Sequence, residues 1–406
     1  MIFDVKSELP MLKVPMSLIV DDWSVCCIDR LRRLDSRRTH ECLVDLLSLG
    51  ELGVRGKLSL IPCIVKSNRE HTLLGCIDRG IKGVSKEELL KTLYLVRTKA
   101  VEYFDITPEV LTHSLTIDLK SGKLLDETEW EWSQRQDLES LKEYIARALS
   151  ILRKVGIVAS GVTSPCDFGR EVEGIYAQAV LEAEKVVNGI TLTWYFLHVE
   201  PHRNYITPRL MYFNEEDKEA VVSIISCSKD YLGKSRVEAV HDDPHKLADA
   251  WITDDGRGGR LIDLYRRRSY LVFHTHWWNT HGEDNKVGFN ALKETILRIN
   301  KILGDSVIWM KCSEIARYFV TSKVFKFRKS EVSRNVIKLI FKTPFNCKNF
   351  TLSFMTDRTV KRVKVNGHPL ERGRGHILEQ NSWITIDERT YVCFNLTNGS
   401  ILEVEV

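Results

Sequence analysis

The chain has 406 residues, of which 43% are hydrophobic and 28% are charged, so it can build one large core and a small second domain. Its net charge of +4 is modest for this length and gives no reason to expect nucleic acid as a partner. No apolar run approaches the ~20 residues that a membrane-spanning helix needs, so we expect no membrane span.

The cysteines and the N-terminus bear on the cellular compartment. The ten cysteines follow no regular spacing, which predicts buried free thiols rather than a disulfide framework. The N-terminal sequence MIFDVK lacks the basic and apolar parts of a signal peptide and predicts a cytoplasmic protein. A secreted protein whose leader has been removed would carry the same sequence.

Strand-like and helix-like segments alternate from about residue 16 to 320. Apolar runs predict strands at 16–20, 57–65, 111–119, 157–162, 190–199, 271–277 and 306–310. Apolar residues three or four apart predict helices at 137–155, 171–187, 289–303 and 313–320. This alternation predicts an α/β barrel or a doubly wound sheet.

The pattern changes after about residue 323. Short alternating runs predict strands at 336–341, 350–354, 360–365, 383–386, 391–396 and 401–406. The turn pairs Asn366-Gly367 and Asn398-Gly399 separate some of them. We therefore predict an α/β catalytic domain over residues 1–322 and an accessory all-β sandwich over 323–406.

Candidate catalytic residues lie where predicted strands end. Asp21 and Asp22 follow the first strand, and adjacent carboxylates on extended backbone point in opposite directions, so one can bind a metal while the other acts as base. A turn or a helix cap is an equally good interpretation of this pair. His113 lies in the run Leu111–Leu119, where a buried histidine needs a partner, and on its own it fits a core histidine better.

The strand 271–277 carries two histidines. His274 and His276 lie two residues apart, so both imidazoles face one side of the strand, where they suit metal binding or acid–base chemistry. Trp277 and Trp278 offer flat apolar surfaces for a sugar ring. The alternative for this segment is aromatic core packing.

Two further groups are candidates for substrate binding. The loop 163–170 lies between a strand and a helix, and its Asp167 and Arg170 could orient a substrate, although a turn with a helix cap explains them equally well. Tyr195 and His198, in a later strand, could line the same opening, as could residues 202–204.

Taken in order, these segments resemble the polysaccharide deacetylase (NodB-like) family over roughly residues 14–320. The Asp21-Asp22 pair is similar to the family's opening motif, the loop 164–169 to its proline–glycine motif, and the strand with His274 and His276 to its last motif. The resemblance implies a distorted (β/α) barrel and deacetylation of a carbohydrate. It gives Asp21 the role of base, Asp22 that of metal ligand, and His274 or His276 that of general acid.

The sequence departs from this family at the second motif. The family has two metal-binding histidines four residues apart, whereas here Ile117 stands four residues after His113 and Asp118 follows it. We expect Asp22 and His113 to bind a divalent metal, with zinc the best match, and the third ligand stays open. Two other functions are a glycoside hydrolase using paired carboxylates such as Asp22 and Asp167, and a glycan-binding protein without catalysis.

The composition of the C-terminal region allows two roles, polymer binding and structural support of the barrel. Residues 324–364 are rich in lysine and arginine, which could hold an anionic polymer near the barrel. Its many apolar residues, including Phe325 and Phe345, favour a structural role in covering the barrel instead.

Overall fold

The computed structural model describes residues 2–28, 33–66, 71–236, 243–282, 286–333 and 335–406. Strands and helices alternate along the first three quarters of the chain. The strands there are β1 (Ile2–Ser7), β2 (Val14–Asp21), β3 (Cys27–Ile28), β4 (Leu34–Asp35), β5 (Gly56–Leu60), β6 (Cys63–Lys66), β7 (Thr72–Cys76), β8 (Gly80–Ile81), β9 (Phe104–Pro108), β10 (Leu115–Ile117), β11 (Leu124–Thr128), β12 (Gly161–Thr163), β13 (Leu192–Val199), β14 (Arg209–Asn214), β15 (Glu219–Ser226), β16 (Leu271–His276) and β17 (Val307–Trp309).

Helices fill the intervals between these strands. They are α1 (Ser36–Glu51), α2 (Lys86–Leu95), α3 (Val101–Tyr103), α4 (Glu129–Ser133), α5 (Leu138–Lys154), α6 (Glu173–Asn188), α7 (Pro244–Ala248), α8 (Arg260–Tyr265), α9 (Trp277–His281), α10 (Val287–Ile302) and α11 (Cys312–Val324). After α11, every element in the described residues is a strand. These are β18 (Lys326–Ser333), β19 (Val336–Lys342), β20 (Cys347–Thr356), β21 (Arg362–Val365), β22 (His368–Pro369), β23 (Glu371–Arg372), β24 (Ser382–Ile386), β25 (Arg389–Leu396) and β26 (Ile401–Glu405).

Helix α5 shows how the sequence builds these elements. The Asp137 carboxylate accepts a hydrogen bond from the backbone N–H of Ser140 and caps the first turn. The apolar residues that recur every three or four positions, such as Leu141 and Ile145, are buried against the core. Arg153 and Lys154 stand in the last turn, where positive charge is favourable.

Two largely parallel sheets position the candidate site. In one sheet β16, β2, β5 and β9 are parallel neighbours, and β17 also pairs with β2. In the other, β12, β13 and β15 are parallel and β14 is antiparallel to β15. The predicted mixed α/β fold with parallel strands is therefore observed, while the pairing of strands within the described ranges does not join the two sheets into one closed barrel.

The two sheets nevertheless meet at both edges. The hydroxyls of Thr107 at β9 and Thr163 at β12 are 2.8 Å apart. At the other edge the N–H of Cys227, next after β15, donates to the Val272 carbonyl of β16 at 2.6 Å. Because parallel strands share a direction, their carboxyl ends collect on one side of this arrangement.

Two predicted strands differ from the observed ones. The run 57–65 is divided into β5 and β6, because Pro62 lies between them and lacks a backbone N–H for a sheet. The run 111–119 is mostly loop, with the short β10 inside it, and Val110 and His113 have positive φ angles of 45° and 55°. Positive φ is incompatible with strand geometry, so the parallel strand lies earlier, at β9.

The C-terminal strands form two five-stranded sheets, with neighbours β1-β20-β25-β24-β23 and β18-β19-β26-β21-β22. They share one hydrophobic cluster with α11 and with residues of β13, β15 and β16, among them Trp194, Val222 and Val272. β1 pairs antiparallel with β20, so residues 2–7, which the sequence analysis assigns to the catalytic domain, belong to a C-terminal sheet.

The cysteines differ in part from the expectation. Cys63 and Cys76 form a disulfide between β6 and β7, which their spacing did not indicate. Eight cysteines are free, and six of these are buried as predicted, while Cys27 is half-buried and Cys166 exposed. Across the described residues, no helix combines the length and the hydropathy that crossing a bilayer requires.

Candidate functional site

Side chains of opposite charge gather at the carboxyl ends of the parallel strands. Asp21 and Asp22 end β2, Glu109 follows β9, and His276 ends β16. His113 reaches the same place from the loop after β9. Loops at this end of parallel strands are where α/β proteins build their active sites.

Asp22, Glu109 and His113 form the centre of the site, with one potential ligand atom each and all three atoms within 4.8 Å of one another. His113 Nε2 lies 3.5 Å from Asp22 Oδ1, and His113 Nδ1 lies 3.1 Å from Glu109 Oε1. The backbone N–H of Asp22 and the hydroxyl of Ser59 both donate to Glu109 Oε2. The expected approach of Asp22 to His113 is therefore observed, and Glu109 joins them.

This cluster fits a divalent cation on the chemistry of its donors. Two carboxylates and one imidazole are a ligand set used by first-row divalent ions, zinc among them. His113 Nδ1 is buried beside Glu109 Oε1, so the imidazole and both carboxylates lie close enough together to share one cation.

The buried carboxylate of Glu129 shapes the loop that carries His113. It accepts hydrogen bonds from the backbone N–H groups of Leu111, Thr112 and His113, and from the Tyr144 hydroxyl at 2.8 Å. These bonds offset the strain of the positive φ at His113. Asp22 also has a positive φ, 64°, so both candidate ligands sit on strained backbone, as functional residues often do.

The three central side chains shift one another's protonation. Burial, and then the Glu109 carboxylate, raise the pKa of Asp22 to about 6. Burial alone would raise the pKa of Glu109 as well, but the His113 imidazole lowers it below its ordinary value. Burial opposes the charged form of His113, yet Glu109 and Asp22 raise its pKa to about 10. A cation bound here would replace the His113 proton as the charge that neutralises the carboxylates.

Asp21 lies beside this cluster and pairs with a lysine. The Lys57 ammonium, on β5, donates to Asp21 Oδ1, and both side chains are almost completely buried. The ammonium also lies 5.1 Å from the centre of the Phe196 ring. Asp21 thus lies against a buried ammonium group, next to Asp22 in the chain.

His276 is oriented by a second buried carboxylate, that of Asp230. His276 Nδ1 lies 2.7 Å from Asp230 Oδ2, which also accepts from the backbone N–H of His276 and the Asn279 amide. Burial alone would lower the pKa of His276, but Asp230 and then Asp22 raise it to about 9. His276 is therefore protonated at neutral pH, with Nδ1 committed to Asp230 and Nε2 left for another partner.

His274 faces the same side of β16 as His276, and the two ring centres are 5.5 Å apart. Its Nδ1 lies 2.9 Å from the Ser226 hydroxyl, and burial lowers its pKa, so it is neutral. The predicted convergence of the two imidazoles is therefore observed, but only His276 has a carboxylate partner.

The two tryptophans after β16 have different surroundings. Trp278 Nε1 donates to Asp22 Oδ2 at 2.7 Å, and its ring stacks on His276 at 5.2 Å between centres. Trp277 lines a cavity of about 200 Å³ beside the cluster, together with Asp22 and Thr112. Trp278 thus positions the central side chains, and Trp277 borders the space next to them.

The remaining predicted residues lie in other surroundings. Asp167 and Arg170 are exposed and pair with each other at 2.6 Å. Tyr195 and His198 both contact Glu173, whose Oε1 lies 2.7 Å from the Tyr195 hydroxyl and from His198 Nε2. Tyr195 is fully buried. No described contact links these four residues to Asp22 or to His113.

No protein-family model matches the chain, and no curated protein matches it by sequence. A Parabacteroides distasonis protein, provisionally assigned as a glycoside hydrolase/deacetylase, is 8% identical, with coverage of 86% of this chain and 83% of its own and a TM-score of 0.40. An α-amylase from Geobacillus thermoleovorans is 10% identical, with coverage of 98% and 99% and a TM-score of 0.36. A glycoside hydrolase family 30 xylanase from Clostridium acetobutylicum is 10% identical, with coverage of 99% and 100% and a TM-score of 0.28. Scores this low assign neither fold nor function, so the function is inferred from the site's own residues.

Sequence reasoning missed several residues of the site. The third ligand was left open, and Glu109, which stands four residues before His113, was not among the predicted residues. Asp118, the nearest acidic residue after His113, is half-buried and accepts a hydrogen bond from the Ser121 hydroxyl in a turn of its own. The usable signal was the spacing Glu109-x-x-x-His113, which equals that of the family's histidine pair. Nothing in the sequence pointed to Asp230 or Lys57.

Proposed function

We propose that this chain is a metal-dependent hydrolase that removes acyl groups from an N- or O-acylated glycan. The observation that carries the proposal is the convergence of Asp22, Glu109 and His113 within 4.8 Å, next to a histidine that its own carboxylate holds in place. Two carboxylates and an imidazole would hold zinc or another first-row divalent ion. When bound, such an ion lowers the pKa of a water and polarises the carbonyl that this water attacks.

The protein's own residues supply the rest of the chemistry. Asp21, which is paired with Lys57, is the group we assign to accept a proton from the attacking water. His276 holds a proton on Nε2 at neutral pH and is placed to give it to the leaving oxygen or nitrogen. Asp230 fixes the orientation of that imidazole. His274 is neutral and bound to Ser226, so the acid role falls to His276.

Metal analysis of matched variants tests the proposal. Glu109→Gln removes one ligand charge with little change in shape, and Asp118→Asn is the matched control, since the Asp118 carboxylate follows His113 in the chain and binds only within its own turn. Purified wild-type protein and Asp118→Asn should contain a divalent metal and release acetate from an acetylated oligosaccharide. Glu109→Gln should lose more than about 100-fold in metal affinity, since even partners of metal ligands are worth 10–100-fold. Full metal occupancy in Glu109→Gln would contradict the proposal.

A glycoside hydrolase is the second candidate function, and it is favoured by the electrostatics of the cluster. Asp22 and Glu109 are neighbouring carboxyl groups whose pKa values shift in opposite directions, which is how glycosidases separate an acid from a nucleophile. This pair replaces the pair of Asp22 and Asp167 considered from the sequence, since Asp167 is exposed and bound to Arg170. Release of reducing ends that resists a chelator would support the glycosidase; release of acetate that a chelator abolishes would support the deacylase.

A further inference from the structure

A second cavity lies away from the metal-ligating cluster, between α11 and the C-terminal sheets. It has a volume of about 690 Å³, which is in the range of small-molecule sites. Trp309 lines it and pairs with Met16, near the start of β2, whereas Asp22 follows the end of that strand. We call this cavity the α11 groove, and its position separates it from the chemistry described above.

The α11 groove combines an aromatic ring with amides and positive charges. Its lining includes Trp309, Asn346, Asn349, Asn395, Arg317 and Lys348. Glu314 also lines the groove, but its carboxylate accepts the backbone N–H of Lys311 and caps α11. The side-chain charge around the groove is therefore positive on balance.

Several of these polar groups are not used within the described structure. Asn349 Oδ1 is buried and has no hydrogen-bond partner among the described residues. Asn395 Oδ1 accepts the backbone N–H of Asn349 at 3.1 Å, which leaves the Asn395 amide N–H₂ for another partner. Neither Arg317 nor Lys348 forms an ion pair with any residue that the structure describes. Arg317, Lys348 and Asn395 are exposed, so a polar ligand in the groove can reach all three side chains.

The chemistry of these groups fits an acidic sugar chain. An asparagine amide offers a donor and an acceptor side by side, which matches neighbouring sugar hydroxyls that each donate and accept. Trp309 is half-buried and lines the groove, so its indole brings there the kind of aromatic surface on which the C–H side of a pyranose ring packs. The planar guanidinium of Arg317 binds carboxylates in a two-pronged geometry, which a neutral sugar would not use. We propose that the α11 groove is a second carbohydrate-binding site, which takes an oligosaccharide carrying carboxylate groups.

The experiment measures binding to the full chain by titration calorimetry, with tetragalacturonate as the acidic probe and cellotetraose as the neutral one. Tetragalacturonate should bind, and cellotetraose should bind at least about tenfold more weakly, since it lacks the charge-assisted bonds. Arg317→Gln should weaken tetragalacturonate binding about tenfold, while the matched control Arg374→Gln, an exposed arginine outside the groove lining, should leave it unchanged.

A second variant protects the test against folding defects. Asn395 is exposed, and its Oδ1 accepts the Asn349 backbone N–H, which an aspartate oxygen can also accept, so Asn395→Asp should fold while adding a negative charge at the groove. It should weaken the acidic probe and spare the neutral one. Asp22→Ala should keep full tetragalacturonate binding, which separates this proposal from the hydrolase function. Equal binding of both probes, or equal loss in Arg317→Gln and Arg374→Gln, would overturn the proposal, as would no binding of tetragalacturonate by the wild type.

Discussion

The buried pair of Lys57 and Asp21 gives a quantitative expectation for stability. The exposed fractions of the two side chains are 0% and 6%, so the pair belongs with buried rather than surface ion pairs. Removing one partner of a buried pair leaves an unpaired charge in the core and costs about 3–5 kcal/mol. Lys57→Met keeps the length of the side chain and removes its charge. We therefore expect it to lower the free energy of unfolding by about 3–5 kcal/mol.

The double variant separates charge pairing from packing. Asp21→Asn alone leaves the Lys57 ammonium unpaired and should also destabilise, whereas Lys57→Met combined with Asp21→Asn removes both charges. The double variant should therefore recover at least about 2 kcal/mol relative to the sum of the two single changes. Urea unfolding, followed by both tryptophan fluorescence and circular dichroism, measures these differences.

A surface pair provides the matched control for this series. Lys142 lies 2.8 Å from Glu139, but the Glu139 side chain is 63% exposed, so Lys142→Met should cost less than about 0.5 kcal/mol. A cost below about 1 kcal/mol for Lys57→Met would refute the reasoning. So would strict additivity of the Lys57 and Asp21 changes, since it would mean that the two charges do not interact.

Three other predictions use separate parts of the molecule. Burial raises the pKa of Glu184 from 4.5 to about 8, so the folded state holds this proton more tightly than the unfolded chain. The free energy of unfolding should therefore fall as the pH rises across that interval. Glu184→Gln should remove this pH dependence and add on the order of 3 kcal/mol at pH 9, which urea unfolding at pH 4.5 and pH 9 measures. Asp230→Asn should lower kcat about 100-fold through His276 while metal content stays at the wild-type value, and loss of metal instead would give Asp230 a structural role. Deleting residues 325–406 should leave an insoluble protein, because α11 packs into the shared C-terminal core; a soluble product with acetate-releasing activity would contradict this.

Local patterns in the sequence predicted many of the secondary-structure elements. Helix α5 and helix α10 follow from apolar residues on one face, and the C-terminal strands follow from two-residue alternation between asparagine–glycine turns. These patterns work because each is set by neighbours in the chain. The strand predicted at 111–119 was wrong because the Glu129 carboxylate, which lies outside this run, binds its backbone N–H groups and holds it as a loop. The residues of the run itself give no sign of this distant partner.

The candidate site was harder to predict because it depends on contacts between distant segments. Asp22 and His276 stand at the ends of strands, a position that sequence can indicate. Asp230 and Lys57 take part only because their strands and loops are adjacent to β2 and β16 in space. Glu109 lies four residues before His113, which is the spacing of the family's histidine pair. A single sequence does not show, however, that a glutamate takes the place of a histidine. The disulfide of Cys63 and Cys76 likewise follows from the hairpin of β6 and β7 rather than from a cysteine motif.

The pairing of β1 with β20 has a consequence for how the protein is made. Ile2 lies opposite Thr356, so about 350 residues must leave the ribosome before the first strand meets its partner. Until then β1 is an exposed strand with unpaired backbone groups, which invites association between nascent chains. Three of its six residues, Asp4, Lys6 and Ser7, are polar or charged, which makes such association less favourable. Closure of the C-terminal sheets is therefore a late, long-range event in folding, and we expect it to be slow relative to formation of the helices.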